Sequence, residues 1–544
     1  MNGAASHRDR DARSRHAVWL VMAAALAAAW MALRWPLPLW MLGDNDWLHQ
    51  LAGANQILHG EHPFIDWHTD YGPLRYYPSA LAQLLLGPRT LSELLLVTAA
   101  YTAAYTLLYH LLWVASRRRS VAAALLIVAL ILAPRLFKYY VMLGAVGCLW
   151  AAWHYIERPS RSSLAILAAC VVITGLFRAD FGGFAALAAL VAIASSPEPF
   201  PARVRHVAGF LALAVLCLAP WVAWLTLRGG LGTYLVDTIL VGPGHAAEMA
   251  LPFPRFDASA PLSADNALFL LYACYYALPA IAVGVALWPG VCPERSERRK
   301  IITAAVLAQA VLLHAAHRSD YSHLLQAIPV DYVLLAWLAG KALSRLGGTA
   351  TGFVGRVALA VLGVALAVSL WAGVRVGGWP SPYAGQGLAA LRYHAMERGE
   401  LLGYLAATAP DDSRVQAIQY VRRCMSAGDR IVALQPWTAL YYFGDRMFAG
   451  GLPNWSPGFF NRDSDQTRWI ETVRRQHARL ILGDFSRQLD ARPERTFSAY
   501  SPLVAAYVAE HYAPIGSFGP IVVRAPATSP TTSAGGEGPP PCPP

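Results

Sequence analysis

Long apolar runs separated by short basic loops are the feature that most constrains the fold of this chain. A helix needs about 20 apolar residues to cross the hydrocarbon core of a bilayer, and segments such as 17–35, 90–115 and 206–226 are long enough. Hydrophobic residues make up 56% of the 544 residues and charged residues only 14%, which is too apolar for a soluble protein of this length. The sequence therefore predicts a polytopic α-helical membrane protein.

The apolar pattern predicts about eleven transmembrane helices. Several of the segments are short, and two adjacent pairs have almost no connecting loop, so half-spans or re-entrant helices are the alternative for those pairs. The first segment follows a basic N-terminus and is predicted to be an uncleaved span rather than a signal peptide. The predicted spans are 17–35, 90–115, 120–134, 137–156, 163–178, 181–195, 206–226, 266–288, 301–316, 324–340 and 353–376.

The distribution of Lys and Arg predicts the orientation of these spans. Alternate loops are basic, and the positive-inside rule places such loops in the cytoplasm. The N-terminus is then cytoplasmic, and the first long loop and everything after about residue 377 are extracytoplasmic, as in a protein of the bacterial inner membrane. The net charge of +11 lies mostly in these loops, so it does not indicate a nucleic-acid partner. The basic loops hold Arg8–Arg15, Arg117–Arg119, Arg158 and Arg161, Arg203 and Arg205, Arg295–Lys300, and Lys341 and Arg345.

Composition divides the chain into four parts. Residues 1–16 form a basic cytoplasmic N-terminus, and residues 17–376 form the transmembrane domain, including a first outer loop at 36–77. In residues 377–526, the sequence predicts a turn and short strand at 428–435, a helix at 472–477 followed by a strand at 479–484, and a last strand at 519–524. This alternation of helix and strand predicts a small extracytoplasmic α/β domain. Residues 527–544 are rich in Pro, Ser, Thr and Gly and are predicted to be disordered. The seven Cys show no CxxC motif and no spacing that predicts a disulfide.

The first outer loop is the most chemically dense stretch of the chain, with four Asp and four His between Gly43 and Tyr77. Ionisable groups beside a membrane span are costly unless they have a function. Residues 46–58 are predicted to form an amphipathic helix that lies in the membrane interface and ends at Gly60. Its apolar stripe consists of Trp47, Leu51, Ala54 and Leu58.

Three polar residues follow that helix with a period of two. Asp66, His68 and Asp70 would point to one side of an extended segment. Two carboxylates and an imidazole on one side are the groups of a divalent metal site or a general-base cluster, and loop acids that cap helices are the alternative. His49 is a further candidate for contacting an acceptor or a metal. Gly72-Pro73 then predicts a turn before a helix at 74–86.

The first loop resembles that of GT-C membrane glycosyltransferases. Asp46, Gly60, Pro63-Phe64, Asp66 and Gly72-Pro73-Leu74 fit the pattern D-x13-G-x2-P-[YF]-x-D-[FW]-x4/5-[PG]-P-L of the group formed by protein O-mannosyltransferases, aminoarabinose transferases and RgtA/B/C/D-like enzymes. The resemblance implies transfer of a hexose or pentose from a polyprenyl-phosphate carrier to an extracytoplasmic glycan, lipid or protein. It departs from the family pattern where Asp44-Asn45-Asp46 replaces an Asp-Glu pair.

The resemblance also implies roles for individual residues. Asp46 is the predicted catalytic base, Asp44 is its alternate, and Asp66 positions the acceptor or a divalent cation; metal dependence stays open. Cations on the outer side are candidates for stabilising the departing phosphate, because Arg binds phosphate through two parallel hydrogen bonds. These candidates are Arg75, Arg135, Lys138, Arg178, His317, Arg318 and His323.

Two other functions fit the sequence less closely. A transporter of lipid-linked sugars is expected to place charged pairs near the middle of the bilayer, whereas the charges here gather at the predicted outer ends of the spans. A non-catalytic scaffold or lipid-binding protein with a degenerate glycosyltransferase core is the other alternative, because Asn45 stands beside the predicted base.

Overall fold

The computed structural model describes residues 2–43, 46–132, 135–345, 352–377, 387–434, 437–527 and 540–543. Helices dominate it, and strands are confined to the C-terminal part. The helices are α1 (Asn2–Leu33), α2 (Pro38–Met41), α3 (Asp46–Leu58), α4 (Tyr77–Leu86), α5 (Thr90–Ser116), α6 (Arg119–Ile131), α7 (Tyr139–Glu157), α8 (Arg161–Phe177), α9 (Ala179–Ala194), α10 (Phe200–Leu227), α11 (Leu231–Val236), α12 (Gly242–Glu248), α13 (Ala264–Leu287), α14 (Arg295–His317), α15 (Tyr321–Ala327), α16 (Pro329–Arg345), α17 (Gly352–Arg375), α18 (Gly387–His394), α19 (Arg398–Thr408), α20 (Ser413–Cys424), α21 (Ala439–Gly444), α22 (Asp463–Gln476), α23 (Phe497–Tyr500) and α24 (Pro502–His511). The strands are β1 (Arg430–Ala433), β2 (Met447–Phe448), β3 (Leu480–Gly483), β4 (Tyr512–Phe518) and β5 (Ile521–Pro526).

Within the described residues, six helical segments are long and apolar enough to cross a membrane, namely His16–Leu33, Thr90–Ser116, Leu136–Glu157, Phe200–Leu227, Ala264–Leu287 and Arg295–His317. Helices α15 and α16 meet at a 60° bend and count as a seventh span if taken together. The other predicted spans are apolar helices of 10–17 residues, at Arg119–Ile131, Arg161–Phe177, Ala179–Ala194 and Leu359–Arg375. The membrane class is therefore confirmed, whereas the count of about eleven spans stays a prediction.

Glycine allows the helices to approach closely at two places. A Cβ atom on Gly182 of α9 would lie 2.5 Å from the Cα of Gly175 in α8, and one on Gly340 of α16 would lie 2.4 Å from the carbonyl oxygen of Ser116. Both distances are shorter than any real contact of a Cβ atom. Association of helices in lipid depends on such small residues, since lipid tails remove the hydrophobic drive between helices.

The chain divides into two compact units. Unit 1 consists of Met1–Arg34, Val97–Pro220 and Ala250–Ala384, and unit 2 consists of Trp35–Leu96, Trp221–Met249 and Gly385–Pro544. The first outer loop therefore shares a unit with the C-terminal part, although more than 300 residues of sequence separate them. The four parts predicted from composition do not show this grouping.

Unit 2 contains a five-stranded sheet with the strand order β2-β1-β3-β5-β4. Strand β1 pairs in parallel with β2 and β3, and β5 pairs antiparallel with β3 and β4. The sequence pattern correctly predicts strands at β1, β3 and β5 and a helix at the end of α22. It misses β2 and β4, because β2 has only two residues and β4 carries Pro514 and Gly516, which strand patterns disfavour.

A disulfide joins Cys424 at the end of α20 to Cys542, with 5.1 Å between the two Cα atoms. Neither this bridge nor order in the last residues is predicted from the sequence. In the structure, Pro541 also accepts a hydrogen bond of 2.7 Å from the Tyr420 hydroxyl. Residues 540–543 are thus fixed to the C-terminal domain, while most of the tail predicted to be disordered, 528–539, lies outside the described residues.

Candidate functional site

The helix predicted at residues 46–58 is α3, with the same bounds. Gly60 follows it with φ +89, so the predicted glycine stop is confirmed. The prediction of a single apolar face is wrong, because residues 47–56 are all buried, including the polar Gln50 and Gln56. Helices α4 and α21 and strand β2 pack against α3 and cover the side that was expected to be polar.

Of the three candidate catalytic acids of the first loop, the structure describes Asp46 and Asp66. Asp46 is the first residue of α3, and Asp44 lies outside the described residues. Asp66 lies in a tight turn, where its carboxylate accepts a 2.7 Å hydrogen bond from the backbone N–H of His62. Phe64 in this turn has φ +69, a conformation that non-glycine residues adopt rarely and that is often found at functional sites.

This turn changes the expected arrangement of Asp66, His68 and Asp70. The segment is not extended at Asp66, because a short bridge between Pro63 and Trp67 closes the turn around it. The three side chains therefore do not alternate along one strand. In the described part of the chain, no group of three or more His, Cys, Asp or Glu side chains is placed to hold a metal ion.

His68 pairs with an acid that the sequence analysis did not select. Its Nδ1 atom lies 3.1 Å from a carboxylate oxygen of Asp237, and the Thr69 N–H donates to the same carboxylate at 3.3 Å. Asp237 is 1% exposed and begins a π-helical turn, a rare conformation found mostly at functional sites. Burial raises the pKa of the Asp237 carboxyl, and the bonds from His68 and Thr69 offset only part of that rise.

The raised pKa of Asp237 predicts how the stability of unit 2 depends on pH. Between the ordinary pKa range of Asp and the raised folded-state pKa, the folded protein holds a proton that the unfolded chain has released, so stability falls as pH rises through this window. Asp237→Asn keeps an acceptor for Thr69 and removes the titration. We expect a flatter dependence of the unfolding temperature on mildly acidic pH for the variant, measured by intrinsic fluorescence; parallel curves for the two proteins would contradict this.

An ion pair fixes the start of the same loop to the sheet. The Glu61 carboxylate binds the Arg430 guanidinium at the start of β1, and both side chains are more than four-fifths buried. Gln56 of α3 donates to Glu61 and accepts a hydrogen bond from the backbone N–H of Phe448 in β2. Contacts with β1 and β2 thus hold the end of α3 and the start of the turn at Pro63–Trp67 in place.

Arg75 and His49 are buried in unit 2. Arg75 is fully buried, and its guanidinium carbon lies 3.5 Å from the centre of the Tyr71 ring, a stacked cation–π contact. His49 is 5% exposed, with its ring edge-on to Tyr71 at 6.3 Å. One carboxylate oxygen of Asp70 is also buried. Arg75 and His49 thus share a contact with the Tyr71 ring, which follows Asp70 in the sequence.

The remaining candidate cations lie in unit 1, where most of them belong to two hydrogen-bonded groups. The two groups meet at the rings of His314 and His323, 6.1 Å apart between centroids, and together form the cation network. Arg178 binds the Asp180 carboxylate through two hydrogen bonds, of 2.9 and 2.7 Å. Arg318 binds Asp320 at 3.2 Å. His314 contacts Asp180, His323 contacts Asp320, and Arg135 donates a hydrogen bond to Ser322. Lys138 follows Phe137 three residues after Arg135. His317 is the last residue of α14, and its carbonyl accepts from the N–H of Leu251.

Asp320 is the centre of the second half of this network. It accepts hydrogen bonds from the Ser322 hydroxyl at 2.7 Å, the His323 N–H at 2.9 Å and His323 Nδ1 at 2.8 Å. Burial alone would raise the pKa of the Asp320 carboxyl, but the bonds from His323 and Ser322 outweigh it and hold that pKa well below its usual range. Asp320 is therefore charged at neutral pH.

Five residues of these clusters were not among the candidates selected from the sequence: Glu61, Asp180, Asp237, His314 and Asp320. One signal was available in the chain, because Arg178-Ala-Asp180 and Arg318-Ser-Asp320 repeat an Arg-x-Asp pattern where a predicted span begins. No local signal links His68 to Asp237, which lies 169 residues away.

Comparison with solved structures shows that the chain has the GT-C fold, the fold of a class of membrane glycosyltransferases. The match is with ArnT, an aminoarabinose transferase, from Cupriavidus metallidurans bound to undecaprenyl phosphate; it covers 94% of this chain and 98% of that one, with 15% sequence identity and a TM-score of 0.51. The apo state of the same protein matches with 14% identity, a TM-score of 0.48, and 95% and 98% of the two chains. No family model and no curated protein sequence matches the chain.

Proposed function

We propose that this protein transfers a sugar from a polyprenyl-phosphate carrier to an extracytoplasmic acceptor. The observation that carries the proposal is the fold shared with ArnT along nearly the whole chain, since that protein was solved with undecaprenyl phosphate bound. Two features of this chain support the proposal: the first-loop motif, and a network of cations whose side chains are hydrogen-bonded to neighbouring acids.

In the proposed reaction, Asp46 accepts the proton of the acceptor hydroxyl as that oxygen attacks the anomeric carbon. The bond from this carbon to the phosphate oxygen breaks, and the electron pair leaves with the polyprenyl phosphate. Cationic side chains stabilise the charge that develops on this phosphate. A phosphate leaves without needing a proton, so one carboxylate suffices as base.

The disulfide supports an extracytoplasmic C-terminal domain. Structural disulfides persist in oxidising compartments and are rare in the cytoplasm, and Cys424–Cys542 joins two segments of that domain. This agrees with the orientation derived from the basic loops, in which the N-terminus is cytoplasmic and the candidate base faces the outer side.

The proposal is tested by incubating membranes that contain the protein with radiolabelled polyprenyl-phosphate sugars. We expect label to move to an acceptor with release of free polyprenyl phosphate. Membranes without the protein provide the background. A flippase would move the labelled lipid across the bilayer with its phosphate ester intact, and a scaffold would leave it unchanged, so either result would overturn the proposal.

A further inference from the structure

Two matching Arg-x-Asp turns lie at the starts of α9 and α15. In each turn, the arginine side chain donates a hydrogen bond to the aspartate two residues later in the sequence. Arg178 Nε lies 2.9 Å from the Asp180 carboxylate, and Arg318 Nε lies 3.2 Å from the Asp320 carboxylate. These carboxylates neutralise part of the charge of the cations beside them. The two aspartates therefore weaken the attraction of these cations for an anionic ligand, so their presence beside the cations needs another explanation.

Each aspartate also contacts a histidine. His323 Nδ1 lies 2.8 Å from Asp320 Oδ2, and His314 Nδ1 lies 3.4 Å from Asp180 Oδ2. The two imidazole rings are 6.1 Å apart between centroids. At 2.8 Å from a carboxylate, Nδ1 of His323 is the donor, so Nε2 can donate to an anion only in the imidazolium form, in which both ring nitrogens carry a proton. The His314 tautomer is less firmly set, since its Nδ1 lies 3.4 Å from Arg178 Nη2 as well.

Asp320 also fixes a cation from a different segment. The Ser322 hydroxyl donates to Asp320 at 2.7 Å and accepts a hydrogen bond from Arg135 Nη2. Arg135 would otherwise be one flexible side chain next to the first turn of α7. One carboxylate thus orients an arginine, an imidazole and a serine hydroxyl that come from two separate parts of unit 1.

The net charge of these cations and acids together is positive. Arg135, Lys138, Arg178 and Arg318 contribute four positive charges, and Asp180 and Asp320 contribute two negative charges, so these six residues carry 4 − 2 = +2, and protonation of His323 raises the sum to +3. An anionic group of one or two charges matches this excess. Because a leaving phosphate gains charge during transfer, fixed donors around it stabilise the transition state more than the ground state.

We propose that Asp320 is a positioning residue of the carrier-phosphate site, which holds His323 and Arg135 in the geometry that binds the phosphate, and that Asp180 does the same for Arg178 and His314. This inference rests on the proposed function, because it takes the phosphate of a polyprenyl carrier as the ligand. It assigns the acids a role in orientation and leaves contact with the phosphate to the cations and His323.

A purely structural role for Asp320 makes a different prediction. Asp320 is the N-cap of α15, where its side chain accepts from the N–H of His323. Asn caps helices as well as Asp does, so Asp320→Asn keeps the cap and removes the charge that fixes Arg318 and His323. Asp412 provides a matched control in unit 2, since it caps α20 and binds Arg414 Nε at 3.0 Å in the same manner.

The experiment measures binding of a polyprenyl monophosphate to the full-length protein in nanodiscs, followed by the 31P chemical shift and by titration. We expect Asp320→Asn to weaken binding about tenfold, because hydrogen bonds to charged groups are the strong ones, with an unchanged unfolding temperature. Asp412→Asn should leave binding unchanged. His323→Gln, whose amide nitrogen can occupy the place of Nε2, should retain more affinity than His323→Asn, whose amide nitrogen reaches only the place of Nδ1.

The outcomes separate this inference from the proposed function. Wild-type affinity in Asp320→Asn and in both His323 variants would overturn the inference and leave the glycosyltransferase proposal intact. A wild-type protein that binds the lipid phosphate, shows the expected variant effects and transfers no sugar would overturn the proposed function alone. A wild-type protein that does not bind the lipid phosphate would overturn both.

Discussion

Asp46→Asn is expected to abolish sugar transfer, lowering kcat by about a hundredfold or more. A general base contributes about 10²–10⁴-fold to a rate, and the amide of Asn cannot accept the proton. Asn is also well tolerated at the start of a helix, so the variant should fold. The measurement is the initial rate of polyprenyl phosphate release by the purified variant, alongside its unfolding temperature.

Parallel variants assign the base among the first-loop acids. Asp44→Asn is expected to change the rate much less than Asp46→Asn, and Asp66→Asn to act mainly on the KM for the acceptor, in keeping with a positioning role. Asp257→Asn is the control, because Asp257 is an exposed acid of another loop whose carboxylate accepts hydrogen bonds from Ser259. An Asp46→Asn variant that is folded and fully active would refute the base assignment.

Removal of the disulfide is expected to destabilise the C-terminal domain by roughly 3 kcal/mol. The bridge spans a sequence separation of 118 residues, so it restricts the unfolded chain strongly. Cys424→Ser, Cys542→Ser and the double variant should lose the same amount, since any one of them removes the whole bridge. The unfolding temperature followed by tryptophan fluorescence, with and without reductant, measures the loss.

Cys217→Ser is the control for that series, because Cys217 is exposed and not part of a disulfide. It should leave the unfolding temperature unchanged. Reaction of Cys424 with a maleimide in the unreduced, folded protein would contradict the bridge. Additive losses in the double variant would mean that each cysteine stabilises the domain by its own packing.

Local patterns predicted those parts of the fold that local interactions determine. Helix α3 has the predicted bounds because its start, its period and its glycine stop all lie within fifteen residues. The strands β1 and β3 were predicted because each is a short apolar run beside a turn. The apolar helices of the membrane domain followed from composition for the same reason.

Long-range packing explains what the sequence did not predict. The polar side of α3 is buried because α4, α21 and β2 cover it. The pattern of residues 46–58 cannot predict this burial, because the covering elements lie elsewhere in the sequence. The partners of His68 and Glu61 lie 169 and 369 residues away. Most of the candidate cations were selected because the predicted topology places them on the outer side. The acids that bind them could not be selected in this way, because their partners are set by contacts between α9, α14 and α15.

The shared core of the first outer loop and the C-terminal sheet restricts how substrate preference can be exchanged between relatives. Because Glu61 binds Arg430 and Asp237 binds His68 inside one unit, the C-terminal domain is not an interchangeable module. A chimera that replaces residues 385–544 alone would separate Glu61 from Arg430. One that replaces residues 35–96 alone would separate both pairs, because it would also take His68 from Asp237. Recombination that conserves function must move residues 35–96 and 221–249 together with that domain, so these three segments should be inherited as one block.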